Sequence, residues 1–150
     1  MTRVRIGYLT PSDEMQMVID RLRAIDEQAV LRQVVNREEL LEMRRSLDDV
    51  TVDDSIVDYG VRLVAATREH PSVIVGASPR GSLPLMHTAR AYAVCAGSDY
   101  VIPEDVKAVA VAVLPHRLSL RPEMWVRQLR GDDVVAELLD AVQAPATYGR

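Results

Sequence analysis

The chain has 150 residues, enough for one domain with a sizeable core, and 48% of them are hydrophobic, as in soluble globular proteins. A net charge of -4 and a pI near 5.4 argue against a nonspecific nucleic-acid binder, which usually carries a basic surface. The single cysteine, Cys95, excludes an intrachain disulfide and is expected to be a small buried residue. Without a membrane-length apolar run or a signal peptide, we expect a cytoplasmic protein with no membrane insertion.

Aromatic residues make up only 4% of the chain and Phe is absent, so the core must be built from aliphatic side chains. This composition favours closely packed helices over an aromatic-rich β-sandwich. We therefore predict a mainly α fold, a bundle of about five to six helices with a minor short β element.

The first residues alternate polar and apolar side chains over residues 3–8, which predicts a half-buried strand. One strand is not stable alone, and the rest of the sequence offers it little to pair with. The partner of this strand therefore stays open at this point. A natural small protein that starts at Met1 is one possibility.

A capping hydroxyl with acidic residues behind it, in Thr10-Pro11-Ser12-Asp13-Glu14, predicts the start of a first helix that runs to about Asp26. Its apolar residues recur at steps of three and four, which predicts an amphipathic helix whose methionines belong to the core. These apolar residues are Met15, Val18, Ile19, Leu22 and Ile25.

Residues 29–35 favour an extended segment, after which Asn36 is expected to cap a second helix from Arg37 to about Leu47. Leu40, Leu41 and Met43 are predicted to face inward. A short extended link, residues 50–52, leads to a third helix capped by Asp53 and ending at about Glu69. Its predicted inward positions are Ile56, Val57, Gly60, Val61, Val64 and Ala65, with Gly60 allowing close helix contact.

The segment Val75-Gly76-Ala77-Ser78-Pro79-Arg80-Gly81 predicts an elbow between an apolar run and a helix. Gly76 gives the backbone room to turn, Ser78 suits a helix N-cap, and Pro79 suits the first helical position. Arg80 would then present a permanently charged, planar fork that can bind phosphate or carboxylate. The alternative is an Arg80 that pairs with a local acid or faces water, as most exposed arginines do.

A central helix is predicted from Pro79 to Ala96, ended by Gly97 as a left-handed cap. Pro84 cannot donate to the Arg80 carbonyl, so it should kink the first turn or delay the helix start to about Ser82.

The remaining chain predicts an extended piece at residues 100–102 and a helix from Pro103 to about Val113, with no side-chain cap from Ile102. Pro115 stops that helix, and residues 116–120 are expected to be extended and to pair with the Tyr100 region. Residues 122–130 give no clear pattern. A last helix starts at Gly131-Asp132-Asp133, and its apolar residues are Val134, Val135, Leu138, Leu139 and Val142.

Two long segments together resemble one known family. They lie within residues 69–118 and read HPSVIVGASPRGSL and ARAYAVCAGSDYVIPEDVKAVAVAVLPHRL. In the family's order and at about its spacing, they resemble the C-terminal lid of MoxR-type AAA+ ATPases. Weaker similarity continues upstream through IGYLTPSDE and VTVDDSIVDYGVRLVAATR. The chain departs from the family at Pro84, where a helix former is usual, and at Ile102, where Thr or Ser is common.

The resemblance implies that Arg80 is the catalytic sensor 2 residue, which contacts the γ-phosphate of ATP. It also implies that Gly76, Ser78 and Pro79 form the cofactor-binding elbow together with Arg80. It implies a helical lid over residues 12–150, with residues 1–11 as strand and linker from a nucleotide-binding core. ATP and Mg²⁺ would be the cofactors of the full-length enzyme. The implied partners are this core and neighbouring subunits, usually in a ring of six, in a chaperone-like motor that remodels client proteins or helps insert metal cofactors into them.

Other chemistry finds little support in the residues. There is no GxxxxGK[ST] loop, so we expect neither ATP hydrolysis nor a bound cofactor in this chain alone. His70, His87 and His116 share no metal-ligand spacing, and no metal site is expected. Ser78 and Ser82 near His87 lack a GxSxG elbow. Asp99, Glu104 and Asp105 could imitate a catalytic acid pair, but a helix start explains Glu104 and Asp105 more simply. Arg90 and Arg117 are secondary candidates for subunit or phosphate contact.

Two alternatives from other classes stay open. The first is a stand-alone helical interaction module that binds a protein through its Met-bearing first helix, which an exposed apolar patch on that helix would favour. The second is a DNA-binding helical domain, which would need Arg21, Arg23, Arg32 and Arg37 on one continuous face.

Overall fold

The structure is a computed structural model and describes residues 2–23 and 32–146. These residues form seven α-helices, one of them a single turn, and a small two-stranded sheet, which confirms the mainly α prediction. The helices are α1 Pro11–Arg23, α2 Arg37–Arg45, α3 Asp54–Glu69, α4 Ser82–Cys95, α5 Pro103–Val113, α6 Glu123–Val126 and α7 Gly131–Ala141. The strands are β1 Val73–Val75 and β2 Ser119–Leu120, and 3-10 turns span Ser46–Asp49, Pro79–Gly81 and Pro115–Arg117.

The core lies between α3, α4, α5 and α7 and is almost entirely aliphatic. Burying each Leu, Ile or Val side chain contributes about 1.5–3 kcal/mol, so this cluster is the main source of stability. Small residues on α4 let α5 approach closely. The main buried residues are Ile56, Tyr59, Leu63 and Val64 of α3, Leu85, Ala89 and Ala93 of α4, Val106, Val109, Ala110 and Val113 of α5, and Val135 of α7.

Short-range polar contacts define the helix starts, as predicted. Asn36 and Glu39 form a reciprocal capping box, with Asn36 Oδ1 accepting from the Glu39 amide at 2.8 Å and Glu39 Oε2 accepting from the Asn36 amide at 2.7 Å. Asp53 Oδ1 accepts from the Ser55 amide at 2.8 Å. At α5, Ile102 provides no side-chain cap, and the buried Asp105 accepts from the Ile102 amide at 2.9 Å instead.

The predicted left-handed cap after α4 is confirmed. Gly97 has a φ of 75°, and the Ser98 and Gly97 amides donate to the Ala93 and Val94 carbonyls, each at 2.9 Å. This pair of bonds is the Schellman motif, which satisfies the last helical carbonyls. The helix ends at Cys95, one residue before the predicted end, and Cys95 itself is exposed, so the prediction of a buried cysteine was wrong. The Cys95 position lies off the Leu85, Ala89 and Ala93 stripe that faces the core.

The sheet differs from the prediction. Residues 115–117 form a 3-10 turn, and β2 pairs antiparallel with β1, Val73 opposite Leu120. The Tyr100 region instead forms a parallel bridge with Thr51, where the Val101 amide donates to the Thr51 carbonyl at 3.0 Å. The β1–β2 pairing follows from burial, because Val73 and its neighbours cover Val134 and Leu138 of α7.

The N-terminal segment is not a strand, which corrects the prediction for residues 3–8. No described strand lies beside it, and Ile6 is 96% exposed. The segment is attached by other means, since the Arg3 amide donates to the Ala112 carbonyl at 2.9 Å and the Arg3 and Arg5 guanidinium groups pair with Asp132 at 3.1 and 2.9 Å.

The apolar face of α1 is exposed, so the prediction that its methionines belong to the core was wrong. Met15, Met17 and Val18 are exposed, and Leu22 is 80% exposed. Ile25 and the predicted helix end at Asp26 lie outside the described residues. An amphipathic pattern shows which face can be buried, whereas burial also requires a surface to pack against.

Several inward positions on α2 and α3 also need correction. Leu40 and Met43 of α2 are exposed and Leu41 is only partly buried. On α3, Val57 and Val61 are exposed. The buried stripe instead includes Tyr59 and Leu63, because α3 presents its face to α4 and α7 at a slightly different angle than predicted. Of the predicted extended residues 29–35, residues 29–31 lie outside the described part and residues 32–35 form no strand.

Within the described ranges, no helix combines the length and the apolar character that crossing a bilayer demands.

Candidate functional site

The elbow predicted at residues 75–81 connects β1 to α4 through a 3-10 turn, Pro79–Gly81. Pro79 occupies the first position of that turn, and the Gly81 amide donates to the Ser78 carbonyl at 2.7 Å. The α-helix starts at Ser82, which is the delayed start that Pro84 predicted as one of two outcomes. Because Pro84 has no amide hydrogen, the chain around Arg80 closes as a tighter turn with i→i+3 bonds.

Ser78 does not cap the helix through its side chain, which corrects that prediction. A serine cap would bond the amide of the third residue of the turn, here Gly81. That amide already donates to the carbonyl of Ser78 itself. The Ser78 hydroxyl therefore stays exposed at the outer surface of the elbow.

Arg80 is exposed on this turn, and no described side chain forms an ion pair or hydrogen bond with it. The alternative that a local acid neutralises Arg80 is therefore not what the described residues show. The exposed guanidinium group faces solvent, which is the other half of that alternative. It keeps five donors and its charge, in a fork whose shape can match two phosphate oxygens.

The backbone beneath Arg80 is tightly held by the end of α3. Gly76 lies so close to Arg68 that a Cβ atom at position 76 would be 2.7 Å from the Arg68 Cα atom. The Ala77 amide donates to Thr67 Oγ1 at 2.9 Å, and Arg68 Nε donates to the Ala77 carbonyl at 3.0 Å. Ala77 and Thr67 are both fully buried. Arg80 thus projects from a base whose backbone polar groups are fixed.

Thr67 and Arg68 were not predicted to take part in this site. One signal in the sequence could have identified Thr67. The buried face of α3 runs through Ile56, Gly60 and Leu63, and the next step of four reaches Thr67. A hydroxyl on the core face of a helix needs a partner, and here it serves both the Val64 carbonyl, at 2.6 Å, and the Ala77 amide.

Of the two secondary arginines, Arg117 lies beside the turn and Arg90 does not. Arg117 Nε donates to the Val113 carbonyl at 3.0 Å, and its Cδ atom would be 3.9 Å from a Cβ atom at Gly81. Arg90 is about two turns further along α4. Desolvation by its neighbours, followed by the charges of Arg117 and Arg3, lowers the pKa of His116.

The three histidines are not brought together. His70 Nε2 lies 3.1 Å from Glu137 Oε2, whereas His87 is exposed on α4 and His116 lies in the turn after α5. Within the described part of the chain, no group of three or more His, Cys, Asp or Glu side chains is arranged to hold a metal ion. Asp105 accepts a hydrogen bond from the Ile102 amide at the start of α5, as expected for a helix-start acid. Glu104 Oε1 lies 3.8 Å from Lys107 Nζ in the same helix.

Comparison with known proteins agrees with this architecture. The family model described as AAA lid domain matches residues 65–138, which include the end of α3, the elbow and all of α4. Chaperone MoxR1 of Mycobacterium tuberculosis is 34% identical over 152 residues, covering 95% of this chain and 40% of that protein. The chain contains a MoxR-family AAA+ lid domain.

Further relatives resemble this lid domain. The uncharacterized protein YeaC of Bacillus subtilis is 37% identical over 145 residues, or 95% of this chain and 44% of that protein. Protein MoxR of Methylorubrum extorquens is 42% identical over 67 residues. The crystal structure of a proposed ATPase from Cytophaga hutchinsonii superposes with a TM-score of 0.85 at 28% identity, over 97% of this chain and 47% of that one. The chain thus spans less than half the length of the longer relatives it matches.

Proposed function

We propose that this chain is the lid of a MoxR-type ATPase in which Arg80 is the sensor 2 residue. The observation that carries this proposal is an exposed arginine, unpaired among the described residues, on a turn whose backbone is fixed by α3. A rigidly based guanidinium group fits a phosphate because its donors match two oxygens without costly ordering.

In this proposal the chain supplies only part of the nucleotide site. ATP, when bound, supplies the phosphoryl group that is transferred to water, and Mg²⁺ and the phosphate-cradling loop belong to the AAA+ core. Arg80 donates to the γ-phosphate and stabilises the charge that develops there during transfer. Gly76 and Pro79 set the course of the elbow. The exposed Ser78, two residues before Arg80 in the chain, offers its hydroxyl to the nucleotide or its water.

Arg80 would also make the lid sensitive to the nucleotide state. ADP lacks the γ-phosphate, so only ATP gives Arg80 its partner and favours the closed lid. We infer that the closed and open lids differ in their contacts with neighbouring subunits, in a ring that is usually of six. The ring would act in the cytoplasm as a chaperone-like motor on client proteins, in complex assembly or metal-cofactor insertion.

The exposed apolar face of α1 supports a contact with another protein surface. Its residues suit packing against the AAA+ core, because a helix of this length is only marginally stable in water without a tertiary partner. The same face is the observation that favours the alternative of a stand-alone interaction module. The coding sequence before Met1 separates the two. A GxxxxGK[ST] loop in the same reading frame supports the lid, and a stop codon with a ribosome-binding site supports the module.

The main test is Arg80→Ala in the full-length protein. We expect ATP turnover to fall by about 10- to 1000-fold, the scale for one lost electrostatic contact to a transition state. Arg45→Ala removes an exposed arginine at the end of α2 and is the charge-matched control, which should keep wild-type turnover. Wild-type turnover in Arg80→Ala would remove Arg80 from the site. The 150-residue chain alone should bind ATP weakly or not at all.

A further inference from the structure

We infer that Thr67 and Arg68, consecutive residues in the last turn of α3, are positioning residues for Arg80. Together they fix the peptide groups on both sides of Ala77, three residues before Arg80. This inference rests on the proposed role of Arg80 in binding the γ-phosphate.

The Thr67 hydroxyl forms the first half of this arrangement. It donates to the Val64 carbonyl at 2.6 Å and accepts from the Ala77 amide at 2.9 Å. Thr67 and Ala77 are fully buried, so no water competes for these groups. Because Ala77 lies between β1 and the 3-10 turn, outside any helix or strand, the Thr67 hydroxyl is what satisfies its amide.

The Arg68 side chain forms the second half. Its Nε atom donates to the Ala77 carbonyl at 3.0 Å. The aliphatic part of the side chain lies against Gly76, since a Cβ atom there would be 2.7 Å from both Cα and Cγ of Arg68. The elbow is thus pressed against α3 at Gly76 and bonded to it on both sides of Ala77.

These contacts constrain the position of Arg80 because the intervening chain is short and closed. The Ser78 carbonyl accepts from the Gly81 amide, and Gly81 is buried with a Cβ position 3.4 Å from Ala77 Cβ and 3.7 Å from Val64 Cγ1. A shift of Ala77 therefore moves the whole Pro79–Gly81 turn. A misplacement of about 1 Å at a charged contact can cost about 100-fold in rate.

The chemistry of the two side chains also determines which substitutions test each role. Valine has the shape of threonine without the hydroxyl, so Thr67→Val leaves the Ala77 amide buried without a partner. Thr67→Ser keeps the hydroxyl. Methionine at position 68 keeps the aliphatic stem against Gly76 and removes the guanidinium group, with both its positive charge and its hydrogen bond to the Ala77 carbonyl.

The test is a double-mutant cycle in the full-length protein, measuring kcat and KM for ATP and the affinity for ADP. We expect Thr67→Val to lower kcat by about 10- to 100-fold, with ADP affinity unchanged because ADP lacks the γ-phosphate. Thr67→Ser should stay within about 3-fold of wild type, since it keeps the hydroxyl. On the Arg80→Ala background, Thr67→Val should change kcat by less than about 2-fold, because residues that act as a unit are not additive.

Arg68→Met keeps the inference testable if Thr67→Val does not fold, because Arg68 lies outside the hydrophobic core and methionine keeps the aliphatic stem that packs against Gly76. It should show the same pattern, a loss of kcat that disappears when Arg80 is absent.

The inference is overturned if Thr67→Val or Arg68→Met keeps wild-type kcat, if either lowers kcat equally with and without Arg80, or if ADP affinity falls in parallel. Wild-type turnover in Arg80→Ala alone would overturn the proposed function and the positioning role with it. Wild-type turnover in either positioning variant, beside a slow Arg80→Ala, would overturn only the positioning role and leave the proposed function standing.

Discussion

Gly76 packs directly on the backbone of Arg68, leaving no space for a side chain between the elbow and α3. A Cβ atom at Gly76 would lie 2.7 Å from the Arg68 amide nitrogen and Cα, neither of which can rotate away. Gly60 is different, because a Cβ atom there would meet the Cε atom at the flexible end of the Met86 side chain.

This contrast predicts different costs for the same substitution. Gly76→Ala should lower the free energy of unfolding by about 1–3 kcal/mol, since overpacking must displace backbone. Gly60→Ala should cost less than about 1 kcal/mol, because Met86 can change rotamer and alanine favours the helix by about that amount. Urea unfolding of the two variants compares them, and equal losses would show that the elbow can move away from α3.

We expect one substitution of a core residue, Tyr59→Phe, not to weaken the fold. Its hydroxyl is buried without a hydrogen-bond partner among the described residues, and burial, followed by the charge of Glu104, raises the pKa of Tyr59. Tyr59→Phe removes this unsatisfied group and keeps the ring, so the free energy of unfolding should stay the same or rise by about 1 kcal/mol. Tyr59→Ala should instead cost about 3–5 kcal/mol. A clear loss in Tyr59→Phe would reveal a partner for the hydroxyl.

Arg80→Ala should leave the fold intact. The side chain is exposed and makes no ion pair or hydrogen bond with a described residue, so its removal should change the free energy of unfolding by no more than about 0.5 kcal/mol. Thermal unfolding of wild type and variant measures this directly. A large loss would mean that Arg80 supports the structure, and any fall in ATP turnover would then need a structural explanation.

We expect the free energy of unfolding to depend on pH through Asp53. Hydrogen bonds from the Ser55 hydroxyl and amide lower the pKa of the Asp53 carboxyl in the folded chain below its ordinary value of 3.8. The folded state therefore favours the carboxylate, and this stabilisation is present above pH 3.8 and is lost as pH falls through the lower folded pKa.

Asp53→Asn isolates this effect, because asparagine also caps a helix and does not titrate. The difference in unfolding free energy between wild type and Asp53→Asn should shrink as pH falls below 3.8, as followed by urea unfolding at several pH values. A difference that stays constant with pH would contradict the role of the charge.

Features determined by neighbouring residues could be predicted from the sequence. The predicted roles of Asn36, Asp53 and Gly97 at helix ends are confirmed, because each acts through bonds to residues only a few positions away. Pro84 likewise defined the start of α4, because the missing amide affects only one turn. The position of Arg80 on an exposed turn followed from the same local rules.

Features that depend on distant partners could not be predicted. The strand Val73–Val75 pairs with residues more than forty positions away. Which segment it pairs with depends on the apolar surface of α7 against which both strands pack. The exposure of α1 and of residues 3–8 reflects the absence of a covering surface among the described residues. The hydrogen bond from Ala77 to Thr67 depends on how β1 leaves α3, which no short pattern encodes.

The bond between the Ala77 amide and the Thr67 hydroxyl has a consequence for hydrogen exchange. Amides outside helices and sheets usually exchange quickly with solvent, whereas Ala77 is buried and bonded to an equally buried side chain. Its hydrogen can exchange only when the elbow separates from the last turn of α3. The Ala77 amide should therefore exchange as slowly as those in the core of α3, which would make the elbow and that helix one cooperative unit of the lid.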